Sequence, residues 1–292
     1  MKLLRYGPAG KEKPGLLDDN GNIRDLSKVI DDITPDVLSP RGLAAIRKRD
    51  PKRLPLVKGR PRIGSPVVER RVFAIGLNYA KHAAEAGMKI PSEPILFTKT
   101  CPLTGPNDRI VLPKGAKKGD WEVELCFVMG RKAQYVSKKD ALKYVAGYAA
   151  GNDVSERKYQ IESGGQWVKG KSSDTFGPLG PWLVTADEVP NPQRLNVWLD
   201  VNGERKQEET TKDMIFSCAE IISYLSNMIT LYPGDVIYSG TPSGVPPSGT
   251  PSGVPPSGTP TGHPPGVTPP SWPTTWSAAC PASSPLIGRK LI

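Results

Sequence analysis

The stretch WEVELCFVM, residues Trp121–Met129, decides the fold of this 292-residue chain. Polar and apolar residues alternate at its start, which predicts a β-strand with Glu122 and Glu124 on one face and Val123 and Leu125 on the other. Like charges side by side on one face repel each other unless a cation or solvent relieves them. The strand is therefore either the solvated edge of a sheet or one wall of a cation site.

A third acid favours the cation site. Asp153 follows the apolar run Tyr144–Asn152, at the end of another predicted strand, where a loop can direct it to the same point. Three convergent carboxylates with water suit the octahedral coordination of Mg²⁺ or Mn²⁺. The chain has only two histidines, and His263 lies in a proline-rich tail, so a three-histidine zinc site is excluded.

Short apolar runs separated by turn signals predict a β-rich α+β fold for residues 1–240. Asn20-Gly21 and Asn202-Gly203 are typical of type I′ turns in two hairpins. Further strands are predicted at 71–77, 94–99, 109–113, 182–185 and 235–240, and helices at 78–87, 137–145 and 217–229. The last helix opens with Ser217 and Glu220 as a capping box.

Composition divides the chain into three parts. Residues 1–65 are expected to form a small N-terminal α/β domain with a polar linker, and 66–240 the main domain. Residues 241–292 have 14 prolines and no Asp or Glu, and the unit GTPSGVPPS recurs every nine residues from Gly240. Such a segment has few backbone donors and little apolar mass to bury, so we expect 241–292 to be poorly ordered.

The overall charge and cysteine pattern exclude several classes of protein. The net charge is +10, but no Lys/Arg run forms a basic patch, so we expect no nucleic acid partner and an anionic small substrate instead. No segment is apolar enough to span a membrane and no signal peptide is evident, so a cytoplasmic location is expected. The four widely spaced cysteines predict free thiols.

Two further patterns are candidates for chemistry. His82 and Glu85 lie three residues apart on a predicted helix, so the carboxylate can orient the imidazole as a general base; an ordinary exposed pair is the alternative. Lys171 and Thr175 lie in a Gly/Pro-rich loop, where Lys171 either neutralises a bound anion or belongs to a surface turn.

Five ordered motifs together resemble the fumarylacetoacetate hydrolase family. They read GLNYAKHAAEAG (76–87), DWEVEL (120–125), GNDVSER (151–157), WVKGKSSDTFGPLGPW (167–182) and SGTPSGV (239–245). The opening MKLLRYGPAGKEKPGLLD (1–18) is similar to the small N-terminal domain of bacterial members, so the likeness extends from Met1 to about Val245. The resemblance implies a distorted β-roll core that encloses one Mg²⁺ or Mn²⁺, and a homodimer.

The resemblance also implies a role for each candidate residue. Glu122, Glu124 and Asp153 would hold the metal, with Lys171 and Thr175 beside it. His82 and Glu85 would form the water-activating pair of a lid helix. The substrate would be bound by Arg157, Gln160 and Thr241.

The reaction implied is hydrolysis of the C3–C4 bond of a 2,4-diketo acid, such as a 2,4-diketo-3-deoxy sugar acid, to pyruvate and a second acid. Decarboxylase, isomerase and ureidoglycolate lyase activities on the same scaffold stay open. A catalytically impaired metal-binding protein is another alternative, because the repeats replace the strand that ends the domain in the family.

Overall fold

The computed structural model describes residues 1–245 and the backbone of 274–279. The strands in these residues are β1 Lys2–Tyr6, β2 Lys13–Leu17, β3 Ile23–Asp25, β4 Arg71–Gly76, β5 Ile95–Lys99, β6 Leu103–Thr104, β7 Gly119–Asp120, β8 Val123–Met129, β9 Val145–Asn152, β10 Ser155–Glu156, β11 Gly177–Thr185, β12 Asn196–Val201, β13 Glu204–Thr210, β14 Asp235–Tyr238 and β15 Thr274–Ala279. The α-helices are α1 Pro40–Arg47, α2 Ala80–Glu85, α3 Val168–Lys171 and α4 Cys218–Met228, and Lys158–Glu162 forms a π-helix. The predicted β-rich fold with few helices is confirmed.

A ten-stranded mixed sheet forms the body of the molecule. Its order is β3-β2-β1-β11-β9-β8-β14-β4-β5, with β6 paired to β11. The pairs β14–β4 and β11–β6 are parallel, while the other pairs in this sheet are antiparallel. Every residue of β8 and β9 is buried, because these central strands are covered on both faces.

The two faces of the sheet carry separate hydrophobic cores. On β8, Phe127 belongs to one core and its neighbour Val128 to the other, as period-two alternation requires. Helix α4 covers the first face with Ile221, Ile222 and Leu225. The capping box of this helix forms as predicted: the Ser217 hydroxyl accepts from the Glu220 N–H, and the Glu220 carboxylate accepts from the Ser217 N–H.

The N-terminal strands extend the same sheet, since β1 pairs with β11 in the register Lys2↔Val184. The polar linker expected within residues 1–65 contains α1, whose Leu43 and Ile46 are buried in the second core. This part of the chain therefore contributes side chains to the core. The domain boundary at residue 65 stays a prediction.

One of the two predicted hairpin turns has the predicted geometry. Asn202 and Gly203 have φ of +54° and +82°, as a type I′ turn requires. In the first hairpin Gly21 has a positive φ, whereas Asn20 does not. The Asp18 carboxylate accepts the backbone N–H groups of Asn20 and Asn22, and this Asx-type arrangement produces a five-residue loop.

Two predicted elements are absent from the described part of the chain. Residues 109–113 form no strand, because the Val111 backbone bonds to the Thr175 hydroxyl rather than to a neighbouring strand. The helix predicted at 137–145 is reduced to the 3-10 turn Ala141–Tyr144, which leads into β9.

The tail contributes one strand that the sequence did not predict. Strand β15 pairs antiparallel with β12, from Val201↔Thr274 to Asn196↔Ala279, and completes a three-stranded sheet with β13. Of the tail 241–292, for which poor order was predicted, residues 246–273 and 280–292 lie outside the described residues. Among the described helices, none has the length and apolarity needed to cross a membrane.

Candidate metal centre

Three carboxylates meet where β8 and β9 run side by side. Glu122 directly precedes β8, Glu124 lies on it, and Asp153 directly follows β9. One ligand oxygen from each lies within 4.8 Å of the other two, and the residues are 5%, 1% and 0% exposed. The strand is therefore not a solvated edge, and the first alternative for its acidic pair was wrong.

Backbone pairing brings these carboxylates together. The Asp153 N–H donates to the Glu122 carbonyl at 2.8 Å, and the Glu122 N–H donates to the Asn152 side chain at 2.9 Å. The antiparallel ladder continues with Glu124 opposite Gly151. The position of the acidic cluster is thus fixed by main-chain hydrogen bonds in the centre of the sheet.

Two buried lysines contact the cluster. The Lys171 ammonium donates to Glu122 Oε2 and to Asp153 Oδ2, both at 2.8 Å. The Lys99 ammonium donates to Asp153 Oδ1 and to the Lys171 carbonyl, both at 2.5 Å. Sequence reasoning missed Lys99, whose only signal was a single charge at the end of an apolar strand.

The carboxylates differ in their electrostatic surroundings. Burial by itself would raise the pKa of Glu122, but the charges of Lys171 and Arg157 outweigh it and lower the pKa to about 2. Burial raises the pKa of Glu124 well above its usual range, and the negative charges of Asp153 and Glu122 raise it further. The N–H of Gly240, which donates to Glu124 Oε2 at 2.7 Å, opposes this only in part.

The donor set fits a hard divalent cation. Three buried carboxylate oxygens converge on one point, and the ammonium of Lys171 already bridges two of them. A divalent ion would also relieve the repulsion that raises the pKa of Glu124. Oxygen-only ligands suit Mg²⁺ and Mn²⁺ equally, so the chemistry of the donor set leaves both ions open.

Arg157 presents an unused hydrogen-bond donor beside the cluster. Its guanidinium bonds to Asp120 at 2.8 Å, to Glu122 at 2.6 Å and to Gln160 Oε1 at 2.8 Å. The remaining nitrogen, Nη2, is buried and has no hydrogen-bond partner in the part of the chain that the structure describes. A buried charged donor of this kind is costly unless a ligand satisfies it, and a carboxylate is the natural ligand.

The predicted pair on α2 is also close to this cluster. Nδ1 of His82 lies 3.3 Å from Glu85 Oε2, and the imidazole is among the charges that lower the pKa of Glu122. His82 is 9% exposed, whereas the Glu85 side chain is 26% exposed. The alternative of an ordinary exposed pair therefore does not describe His82.

Two predicted site residues use their hydroxyls elsewhere. The Thr241 hydroxyl donates to the Val123 carbonyl at 2.9 Å and accepts from the Gln207 side-chain amide at 2.8 Å. The Thr241 side chain therefore contacts β8 at the residue between Glu122 and Glu124. Within residues 1–245, the Thr175 hydroxyl bonds only to the backbone of Val111. Roles for Thr175 and Thr241 in binding a substrate stay predictions.

Comparison with known proteins assigns the family. Residues 71–267 match the model of the fumarylacetoacetate (FAA) hydrolase C-terminal domain. A protein of Burkholderia orbicola with a provisional hydrolase name is 60% identical over 247 residues, which are 84% of this chain and 88% of that protein. The chain belongs to the fumarylacetoacetate hydrolase family.

Solved structures in this family carry both hydrolase and isomerase names. Maleylpyruvate hydrolase from Sphingobium sp. SYK-6, in complex with manganese(II) and pyruvate, is 28% identical with a TM-score of 0.71 over 85% of this chain and 90% of that one. A 2-hydroxyhepta-2,4-diene-1,7-dioate isomerase from Mycobacterium marinum is 32% identical with a TM-score of 0.63 over 85% and 89% of the two chains. The fold and an acidic metal site therefore agree with the family, while the reaction is a separate question.

Proposed function

We propose that this chain is a divalent-metal-dependent hydrolase that cleaves the C3–C4 bond of a 2,4-diketo acid to pyruvate and a second carboxylic acid. The observation that carries the proposal is the placement of His82 and Glu85 beside the three buried carboxylates. A metal site alone serves several reactions, but a positioned imidazole adds a base that can activate water. The similar maleylpyruvate hydrolase, solved with manganese(II) and pyruvate, supports the same product.

The positive charges at the site, from a bound metal ion and from the Arg157 and Lys171 side chains, suit an anionic keto acid as substrate. Glu122, Glu124 and Asp153 would hold a Mg²⁺ or Mn²⁺ ion, which supplies Lewis-acid polarisation of a substrate oxygen when bound. Nη2 of Arg157, which has no hydrogen-bond partner among the described residues, would donate to the substrate carboxylate, and Gln160 Oε1 accepts from Nη1 of the same guanidinium. The Lys171 ammonium donates to Glu122 and Asp153, and its positive charge beside the ion site would stabilise the negative charge that develops during cleavage.

The proton transfers are assigned to His82. In its neutral form the imidazole takes a proton from water, and the hydroxide formed adds to the C4 carbonyl while the Glu85 carboxylate stabilises the imidazolium. The C3–C4 bond then breaks and its electron pair passes to C3, which gives the enolate of pyruvate. Protonation at C3 releases pyruvate, and the acyl part leaves as the second acid, so one water is consumed.

The substrate class is proposed more narrowly as acylpyruvates, including 2,4-diketo-3-deoxy sugar acids. The net charge of +10 favours such anions over neutral compounds. We also propose that the protein is a homodimer and is located in the cytoplasm.

Pyruvate release is the test. The full-length protein, freed of metal with EDTA and reloaded with Mg²⁺ or Mn²⁺, is given a panel of 2,4-diketo acids, and pyruvate is measured by a coupled lactate dehydrogenase assay. We expect turnover only with metal. Mn²⁺ binding without pyruvate release from any member would contradict the proposal and favour the impaired metal-binding protein.

Isomerisation or decarboxylation is the second candidate, favoured by the isomerase name of the similar Mycobacterium marinum protein. These reactions need the metal and an enolate but no attacking water. The His82→Ala variant distinguishes the candidates. If hydrolysis is the reaction, the variant loses pyruvate release from diketo acids but keeps metal-dependent oxaloacetate decarboxylation; equal loss of both favours the second candidate.

A further inference from the structure

The carboxylate of Glu85 is held by a loop from a distant part of the chain. The Gly244 N–H donates to Glu85 Oε1 at 3.0 Å and to Oε2 at 3.2 Å, and the Val245 N–H donates to Oε2 at 3.4 Å. We call Thr241–Val245 the clasp loop. Since α2 has no side-chain cap at its start and only six residues, these amides are a main constraint on the direction of Glu85.

Gln207, on β13, makes hydrogen bonds both to the clasp loop and to β8. Its Oε1 accepts from the Val123 N–H at 2.9 Å, between the two glutamates of β8. Its Nε2 donates to Thr241 Oγ1 at 2.8 Å and to the Pro242 carbonyl at 2.9 Å. Gln207 is 1% exposed, so each of these bonds is made away from water and its loss leaves a buried polar group unpaired.

The clasp loop fits closely against β13 at the residue that binds Glu85. Gly244 has φ of +103°, and a Cβ placed there would lie 2.0 Å from the Lys206 carbonyl oxygen. The Gly244 carbonyl accepts from the Trp121 indole N–H at 3.3 Å. Because the clasp loop is packed this closely, a displacement of its residues next to Gln207 also moves the Gly244 and Val245 N–H groups that donate to Glu85.

We infer that Gln207 is a positioning residue for the His82–Glu85 pair, acting through the clasp loop. The inference rests on the proposed function for the role of that pair, although the contacts from Gln207 to Glu85 do not depend on the substrate. Removing the Gln207 amide frees Thr241 and Pro242, moves the amides of Gly244 and Val245, and lets Glu85 turn towards solvent. His82 then loses the anion that orients it, while the carboxylates on β8 and β9 keep their ladder.

The test compares two glutamine-to-methionine variants of the full chain. Gln207→Met keeps the length of the side chain and removes all three hydrogen bonds. Gln193→Met is the matched control, because the Gln193 side chain also makes several bonds, to Thr211, Met214 and Cys218, but none to the clasp loop. Both variants are measured for Mn²⁺ affinity, for kcat and KM of pyruvate release, and for the imidazole resonances of His82.

The His82 resonances give a readout that needs no substrate. The chain has only one other histidine, so a His263→Gln variant assigns both signals. A Glu85→Gln variant supplies the reference shift of an imidazole without its anionic partner. We expect Gln207→Met to move the His82 signal towards that reference and to lower kcat at least about tenfold at unchanged KM. Gln193→Met should leave the His82 signal and kcat unchanged, and both variants should keep Mn²⁺ affinity.

Several outcomes overturn the inference. It is wrong if Gln207→Met leaves the His82 signal and kcat at the wild-type values, or if Gln193→Met changes them equally. If the wild type releases no pyruvate, the proposed function fails and the His82 signal alone decides the inference. If Gln207→Met does not fold, Thr241→Val removes one partner of the same amide, and it must move the His82 signal in the same direction for the inference to stand.

Discussion

The metal triad and the His82–Glu85 pair are adjacent, but they are held in different ways. The triad lies on two central strands whose residues are all buried, and main-chain ladder bonds fix it. The pair lies on a six-residue helix without a side-chain cap, and the Glu85 side chain is 26% exposed. Its supports come from the clasp loop and from an exposed ion pair between Lys81 and Glu209 at 2.6 Å.

In the proposed hydrolase, metal binding and water activation would therefore depend on groups that are held by different kinds of contact. A ladder in the sheet is lost only when the core unfolds, whereas a short helix can shift through local opening of small free energy. The clasp loop is also the start of the nonapeptide repeats, which begin at Gly240. The start of the tail therefore contacts both regions: the Gly240 N–H donates to Glu124 of the triad, and the Gly244 N–H donates to Glu85 of the pair.

The largest effect is expected from Glu122→Ala. It removes one of three carboxylate ligands and leaves Lys171 without one of its two partners. We expect loss of Mn²⁺ binding and a fall in metal-dependent turnover that exceeds the roughly 10- to 100-fold typical of outer-shell partners. Calorimetric titration with Mn²⁺ and the pyruvate assay measure both; full activity in this variant contradicts the assignment of the triad.

His82→Ala should produce the next largest effect, confined to hydrolysis. Loss of a general base typically lowers the rate by about 10²–10⁴-fold. The triad does not use the imidazole as a ligand, so Mn²⁺ affinity should persist in the same titration. If Mn²⁺ affinity falls with hydrolysis, the two regions are not separate as described.

Gly244→Ala tests the clasp loop with the smallest possible side chain. The Cβ would collide with the Lys206 carbonyl, so we expect a displaced loop and hydrolysis reduced more than metal binding. Gly203→Ala is the control. Gly203 lies in the turn before β13, the strand that Gly244 contacts, and it also has a positive φ, but a Cβ there would have no atom within 4 Å. That control should cost roughly 1–2 kcal/mol of stability from backbone strain and keep its hydrolysis; a loss of hydrolysis equal to that of Gly244→Ala would refute the role of the loop.

Glu124→Gln is expected to stabilise the metal-free protein in a pH-dependent way. The folded-state pKa of Glu124 lies well above its ordinary value, so the folded state holds a proton that the unfolded state releases first. Stability of the wild type therefore falls as pH rises from the ordinary pKa of 4.5 towards the higher folded-state pKa, and Gln removes this loss. Thermal melts in EDTA between pH 4 and pH 8 should show the difference between variant and wild type growing with pH; a constant difference contradicts the raised pKa.

The smallest effect is expected from Lys81→Ala. The Lys81 side chain is 70% exposed, and ion pairs of this kind contribute little to stability because water screens them. We expect an unchanged melting temperature and an unchanged Mn²⁺ affinity, with at most a small decrease in kcat. A decrease as large as that of Gly244→Ala would show that the ion pair, rather than the clasp loop, holds α2.

The convergence of the three carboxylates could be predicted from the sequence, because period-two alternation and strand ends are local signals. Glu122, Glu124 and Asp153 needed only the positions of two strands, and the structure has both strands. Lys99 was missed because its contact to Asp153 joins residues 54 positions apart, and no local pattern records such a contact. The role of Gln207 is likewise invisible in the sequence, since its three partners come from β8 and the clasp loop.

Local patterns failed where a side chain took the place of a backbone partner. Asn202-Gly203 forms the predicted turn, whereas Asp18 captures the backbone beside Asn20 and changes the loop. The alternating residues 109–113 resemble a strand, but the Thr175 hydroxyl satisfies the backbone of Val111. In both places the competing partner is a polar side chain, which hydrophobic periodicity does not register.

The most direct measurement of the central claim is pyruvate release by the full-length protein from an acylpyruvate, before and after removal of metal, in wild type and His82→Ala. We expect turnover by the wild type with Mg²⁺ or Mn²⁺, none after EDTA, and a fall of about 10²–10⁴-fold in His82→Ala although that variant still binds Mn²⁺. Pyruvate release that survives in EDTA, or equal rates in wild type and His82→Ala, would contradict it.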